Sequence, residues 1–492
     1  MTIVFFGSAT TLALSAAEPT PAAPLAAQIS RVENGLLPPA RVAGTKSEPW
    51  TLAARMAAYK VPGVSIAVID RGEIAWARGY GFARAGDETP VTADTIFQAA
   101  SISKPVAAAA ALTLVDLGRL TLDTDINDIL KNWKVPASPI AAGQPVTLRE
   151  TLSHTAGFTV HGFAGYASDA PRPTLAQILD GRPPANSPPI RIDQKPGTKW
   201  RYSGGGYGVV QQLLVDVTSQ DFPTLLRERV LAPAGMTAST FEQPLPALSS
   251  SNGPASLASR ATAGHRSDGE RVAGDAHIYP EQAAAGLWTT PGDLARFALA
   301  LQHSLDGQPR SLLTHKIAEQ MITPPLPGSD YGLGIGVKGE GADLQLSHSG
   351  ANEGFRCSLV TYPRSGRGAI IMTNSDNGGL LINEILRAIA LEYGWPDYQV
   401  IEKPSVALEP IVFDDFAGRY EREDTTLAVV RSGTRFFLRL TGQPRTEIFP
   451  QSDHEFFSLD QPDIFAFERN ATGRVTHVVR RSSPPQIFMR SP

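Results

Sequence analysis

The chain has 492 residues, 42% of them hydrophobic, so it can bury a large core, and its length allows roughly two to four domains. A net charge of −4 argues against nucleic acid or an anionic membrane surface as partner. The single cysteine, Cys357, excludes an intramolecular disulfide and any cysteine-built zinc or iron–sulfur site, and its apolar, strand-like surroundings read as a buried structural thiol.

The first element is a short apolar stretch, Ile3 to Ala17, ending in Ser15-Ala16-Ala17 ahead of Glu18-Pro19. It is read as a signal peptide over residues 1–17, placing the mature protein in the periplasm or outside the cell, although the usual basic start is missing. The other reading is an unstructured or cytoplasmic tail. No later stretch is apolar over enough residues to span a bilayer, so no membrane span is expected after cleavage. Residues 18–47, rich in Ala and Pro, read as a flexible segment. A helix is predicted over Trp50 to Tyr59, then two strands, Gly63 to Ile69 and Ile74 to Phe82, around a tight turn at Asp70-Arg71-Gly72. Ser101 to Leu117 is apolar on nearly every face and reads as a buried helix stopped by Gly118.

From about Pro136 to Ile278 helices mix with Pro/Gly loops, the clearest helices being Gly208 to Thr218 and Phe222 to Leu231. Thr290-Pro291-Gly292-Asp293 starts another, running through Leu301. Strand-like runs follow at Tyr331 to Val337 and Asp343 to Ser347, then a hairpin of Phe355 to Tyr362 with Ala369 to Asn374, then a helix, Leu380 to Tyr393. Strands at both ends of a helical middle imply an α+β fold, with one antiparallel sheet built from distant segments, flanking helices and an inserted helical lobe. The main domain is set at residues 48–400 and a linker at 401–412. Residues 413–492 form a small all-β, barrel-like or sandwich-like domain with strands at Leu427 to Arg431, Phe436 to Leu440, Ile464 to Phe467 and Val475 to Val479.

Three short patterns carry chemistry. Ser101-Ile102-Ser103-Lys104 stands where an extended stretch, Thr95 to Ala100, meets the buried helix. Residues i and i+3 share a helix face, so Ser101 and Lys104 point into one space. Burial lowers a lysine pKa, and a neutral amine takes a proton from a serine hydroxyl. Alone, the tetrapeptide reads equally well as a serine cap with a lysine reaching for water. In Arg201-Tyr202-Ser203-Gly204-Gly205-Gly206-Tyr207, the glycines leave room for a ligand, and Tyr202 reads as a phenol set against the nucleophile with its pKa lowered by a nearby ammonium. His348-Ser349-Gly350-Ala351 follows a strand-like run, where Gly350 lets a substrate lie close and a backbone N–H forms half of an oxyanion hole with that of Ser101. His265 and His277 show no metal-ligand spacing, so no metal and no cofactor is expected.

In this order, with Leu152-Ser153-His154-Thr155-Ala156-Gly157-Phe158, Ala285-Gly286-Leu287-Trp288-Thr289-Thr290 and Gly354-Phe355, the chain from Trp50 to Gly394 resembles the serine β-lactamase and penicillin-binding-protein superfamily. The branch it is most similar to holds class C β-lactamases, D-aminopeptidases, DD-carboxypeptidases and related esterases. The resemblance implies an acylated Ser101, Lys104 and Tyr202 sharing acid–base work, and the N–H groups of Ser101 and Ala351 as oxyanion hole. It implies Gly204, His348, Ser349 and Gly350 along the substrate, and a structural His154. Two departures matter. Gly204 stands where many relatives have asparagine, and His348 stands where β-lactamases and transpeptidases have lysine. A mostly neutral histidine holds a substrate carboxylate less well than a lysine. Both changes favour an esterase or D-amino-acid peptidase, acting on a small ester, amide or short peptide, over a β-lactamase or DD-carboxypeptidase. A penicillin-binding sensor that is acylated without turnover is a third reading. Phe416-Ala417-Gly418-Arg419-Tyr420 and Thr441-Gly442-Gln443-Pro444 resemble the β-domain appended to some of these hydrolases; it either shapes the cleft or serves stability or a homo-oligomer.

Overall fold

The computed structural model describes residues 23–141, 143–245, 256–442, 445–460, 463–482 and 485–491. The expected signal peptide, residues 1–17, lies outside them. Among the described residues no helix is long and apolar enough to cross a membrane.

The chain's strands are β1 (Ala40–Val42), β2 (Gly63–Asp70), β3 (Glu73–Gly81), β4 (Phe97–Gln98), β5 (Trp288–Thr289), β6 (Gly336–Lys338), β7 (Gln345–Asn352), β8 (Phe355–Tyr362), β9 (Arg367–Thr373) and β10 (Ile401–Lys403), followed by eight more in the C-terminal domain. Six of them form one antiparallel sheet in the order β3-β2-β9-β8-β7-β6, so the two predicted hairpins meet through β2 and β9. Alternation decides how the sheet is covered, because successive side chains in a strand point to opposite faces. Val64, Ile66 and Val68 of β2 join Ile371 of β9 and the helices Leu52–Tyr59 and Gly378–Tyr393 in one core. Ala67, Ile69, Ile370, Met372 and Leu359 join the helical lobe in the other. With both faces covered, β2 is a nearly continuous apolar run.

The helical lobe is centred on Ser103–Asp116, whose residues from Ser103 to Leu114 are all buried, as an all-round apolar helix requires. Pro105 sits in its first turn, where its missing N–H costs nothing.

Two expectations about the outer parts need correction. The segment 18–47, read as flexible, holds a helix at Ala23–Glu33 and strand β1 over its described part. Leu25, Ile29 and Val32, spaced four and three apart on that helix, pack against the sheet's outer core, a helical pattern that the Ala/Pro-rich composition hid. The linker at 401–412 carries structure at both its ends, with residues 404–409 irregular between them: β10 pairs in parallel with β1, and the turn Pro410–Phe413 drives Phe413 into the last domain. Phe413 stacks on Phe436 there, ring centroids 3.8 Å apart.

That last domain is a closed barrel of β11 (Gly418–Arg422), β12 (Thr425–Ser432), β13 (Arg435–Leu440), β14 (Thr446–Pro450), β15 (Glu455–Ser458), β16 (Ile464–Arg469), β17 (Val475–Arg481) and β18 (Gln486–Arg490). Closure pairs β11 with β18 and removes both sheet edges. Four of its strands, β11, β14, β15 and β18, escaped the sequence reading because they are short and interrupted by turn residues.

Candidate active site

The turn that carries Ser101 is built first. Phe97–Gln98 pairs with Trp288–Thr289, and one 3₁₀ turn, Ala100–Ile102, leads into the buried helix. Ser101 therefore precedes the α-helix rather than opening it, and Ala100 holds a positive φ of 49°. A non-glycine residue there is strained, and such strain persists where packing over-determines it. Three contacts do so. Ser103 Oγ donates to Ala100 O at 2.6 Å and accepts from the Leu287 N–H at 3.0 Å. The Cys357 thiol donates to Ala99 O at 3.1 Å. Burial pushes that thiol up to about 12, which agrees with a structural role.

Gly350 is the third contact. A Cβ there would lie 2.3 Å from Ala99 O and 2.4 Å from Cys357 Sγ. The sequence reading gave this glycine to the substrate; its bare face instead lets β7 press on the turn that carries Ser101. Gly350→Ala is expected to lower stability by about 1–3 kcal/mol, the usual cost of overpacking, and to reduce kcat by shifting Ser101. Thermal unfolding and ester turnover together check this, and an unchanged Tm with unchanged kcat would remove the packing argument.

Lys104 Nζ lies 3.0 Å from Ser101 Oγ and donates to Ala284 O at 2.8 Å. Ala284 belongs to the short helix Gln282–Ala285. The lysine is buried, no carboxylate pairs with it, and desolvation brings its pKa down to about 7. Tyr202 closes the group: Lys104 Nζ is 4.8 Å from the centre of its ring, and Ser101 is near enough to draw on its hydroxyl. The expectation of a lowered phenol pKa is corrected. Burial outweighs the serine contact and raises Tyr202 to about 12, and the neighbouring amine is itself driven toward neutrality. Tyr202 is thus a phenol that donates, and Lys104 is the group able to accept a proton.

Tyr202 is held from both sides. The Arg201 N–H donates to His154 O at 2.9 Å, and the Ser203 N–H donates to His154 Nδ1 at 3.1 Å. The His154 ring packs on Tyr202 with centroids 4.4 Å apart, and burial holds its pKa well below the ordinary value. Its place behind the phenol fits the structural role expected of it.

The glycines after Tyr202 were expected ahead of a helix; the helix begins with them, at Gly204–Thr218, capped by Ser203 Oγ on the Gly206 N–H. Their bare faces meet neighbouring backbone. A Cβ on Gly205 would lie 2.5 Å from Thr159 O, and one on Gly204 would lie 3.1 Å from His161 O and 3.2 Å from the Phe163 ring. The room read as space for a ligand is largely taken by residues 159–163, although Gly204 still borders the cavity.

The third pattern lies inside β7, not after a strand end. Its pairing with β6 stops at Ser347, which leaves the edge from His348 to Asn352 with no strand beside it on that side. His348, Ser349 and Ala351 border the same cavity of about 440 Å³ as Ser101, Lys104 and Tyr202. His348 is fully engaged: Nδ1–H donates to Ser349 O at 2.7 Å, and Nε2 accepts from the Tyr331 hydroxyl at 3.0 Å. Burial holds its pKa down at about 3.

Two participants escaped the sequence reading. Ser103 was read only as a spacer in the tetrapeptide. Glu281, buried at the start of the Gln282–Ala285 helix, has its carboxyl raised to about 7 by desolvation, against a smaller opposing pull from the Tyr166 hydroxyl. No local pattern marks it; only the packing of Tyr166 and Tyr279 around it does. Among the described residues no cluster of His, Cys, Asp or Glu is arranged to hold a metal.

The barrel contributes no described residue to this cavity. Its Asp460 approaches Arg55 and Glu384, on the helices covering the opposite face of the sheet.

The sequence model of the beta-lactamase family matches residues 51–392. Penicillin-binding protein 4 of Amycolatopsis lactamdurans is 26% identical over 392 residues, covering 74% of this chain and 94% of that protein. The octameric penicillin-binding protein homologue from Pyrococcus abyssi superposes with a TM-score of 0.62 at 20% identity, covering 89% of this chain and 97% of the other. The D-amino acid amidase from Ochrobactrum anthropi superposes with a TM-score of 0.54 at 22% identity, covering 75% and 99%. At such identities the structural likenesses speak for the fold.

Proposed function

Because this chain belongs to the beta-lactamase family, within the superfamily of serine β-lactamases and penicillin-binding proteins, we propose that it cleaves esters or amides through an acyl-serine intermediate on Ser101. The observation that carries this is the contact of Ser101 Oγ with a buried, uncharged-capable amine and a protonated phenol. Lys104 takes the hydroxyl proton as Oγ bonds to the acyl carbon. The developing oxyanion is held by the N–H groups of Ser101 and Ala351. As the carbon–leaving-group bond breaks, the proton passes to the leaving atom, with Tyr202 donating along the path. Water then enters, gives a proton back through Lys104, and releases the acid with Ser101 restored.

Within that chemistry, small acyl esters or short D-residue peptides are favoured over β-lactams. His348 offers no free N–H and no charge to a β-lactam's carboxylate. The name of the Amycolatopsis relative speaks for penicillin binding by that protein. Side-by-side hydrolysis of p-nitrophenyl butyrate and nitrocefin tests the order: kcat/KM for the ester is expected to be higher by about tenfold or more, roughly the 1.4 kcal/mol that one lost charge contact is worth. Faster nitrocefin turnover would reverse it. Export, read from residues 1–17, is part of the same proposal.

A further inference from the structure

The acyl-serine reading leaves the substrate's charge undecided, and the cavity walls bear on it. Among the described residues bordering it, the one lysine is Lys104, whose working form is the neutral amine, and the imidazoles are His161 and His348. No Asp, Glu or Arg borders it. Three arginines outside the wall are paired, Arg201 with Asp193, Arg266 with Glu353 at 2.7 Å, and Arg356 with Asp376 at 2.8 Å, and the buried Glu281 is not among the described residues bordering the cavity. His348 is tied at both nitrogens. Asn352 spends its amide N–H groups on Gln98 Oε1 at 2.7 Å and Ala285 O at 3.1 Å, an orientation set by Gln98 itself, whose Nε2 donates to His277 O at 2.7 Å.

A substrate carboxylate here would find no permanent counter-charge on the wall. It would also stabilise the protonated form of Lys104 and so remove the base at neutral pH. A substrate ammonium would be desolvated with no carboxylate to receive it. The mouth, by contrast, offers apolar surface. Trp200 is 42% exposed and lies tilted against Tyr202 and Tyr331, with centroids 6.4 and 5.9 Å away, and Phe163 borders the same cavity. A half-exposed indole beside a nucleophile is unfilled contact area for a flat or bulky apolar group.

We propose that this enzyme selects acyl compounds uncharged on both sides of the scissile bond, with an aromatic or bulky apolar group seated against Trp200 and Phe163. This rests on the acyl-serine reading. The cavity therefore works on blocked chains, or on bonds inside a chain or ring, rather than on free termini.

The test is a matched set of three esters: N-acetyl-D-phenylalanyl-lactamide, its free lactic-acid counterpart with a carboxylate, and its deacetylated counterpart with an ammonium. The neutral member is expected to show kcat/KM about tenfold or more above each charged one. In Trp200→Ala, the ratio of kcat/KM for a phenylacetyl ester over the matching acetyl ester should drop about fivefold or more. In parallel, an uncharged fluorophosphonate reports whether Ser101 is a competent nucleophile whatever the selectivity. Labelling of Ser101 with either charged ester cut as fast as the neutral one, or with none of the three cut, overturns the charge selection and leaves the hydrolase reading standing. Absence of both labelling and turnover takes the hydrolase reading away, and this inference with it.

Discussion

Ser101→Ala is expected to reduce kcat/KM by at least about 10⁴-fold, since losing the nucleophile leaves only binding and oxyanion stabilisation. The fold should be unaffected. The hydroxyl's contacts are Lys104 Nζ and Tyr202, and after its loss the amine still donates to Ala284 O. Because Lys104 sits near neutrality, no buried charge is stranded, and the change amounts to one hydrogen bond, about 1 kcal/mol. Ester hydrolysis, intact-mass detection of the acyl-enzyme and a melting curve check the three parts. A variant keeping more than about one per cent of wild-type turnover would mean that the bond is broken by another group.

Lys104→Met is expected to cost at least about a hundredfold in kcat/KM, the scale of losing a general base, without loss of stability. The second half follows from linkage. The folded-state pKa is about 7 against 10.5 for the free side chain. Between those values the unfolded chain binds a proton that the folded chain refuses. The wild type is therefore most stable above the upper value and loses stability as pH falls toward the lower one. The apolar replacement lacks that slope, so its Tm at pH 7.5 should equal or exceed that of the wild type, whereas the two should converge near pH 10. Wild-type kcat/KM should in turn fall as pH drops through about 7, when the amine is protonated. Glu281 titrates in the same range, so the profile is to be repeated in Glu281→Gln; persistence of the acid limb there assigns it to Lys104. A Lys104→Met enzyme of near-normal rate would end the role given to this lysine.

The candidate catalytic residues were legible because each comes with a local signature. Ser101 and Lys104 are three apart at the foot of an apolar helix, and Tyr202 stands ahead of glycines. What the glycines do was not legible. Gly350 and Gly205 answer to Ala99 O and Thr159 O, residues 251 and 46 positions away in the chain, and no neighbour in sequence announces those contacts.

Periodicity and turn chemistry by themselves determined the sheet-and-helix layout and the separate β-domain, because hydrophobic spacing is a local property of a chain, while Ser101 and Lys104 were singled out only by three motifs in order and the family resemblance they carry. Protonation was decided only by tertiary structure. Whether Tyr202 is a phenol at about 12 or an activated base, and whether His348 can greet an anion or is bound at both nitrogens near a pKa of 3, depends on how much water surrounds each ring. Desolvation is the sum of everything packed around a group, drawn here from β6, β7, the Gly204–Thr218 helix and the 159–163 segment together, and a linear sequence carries no record of that sum.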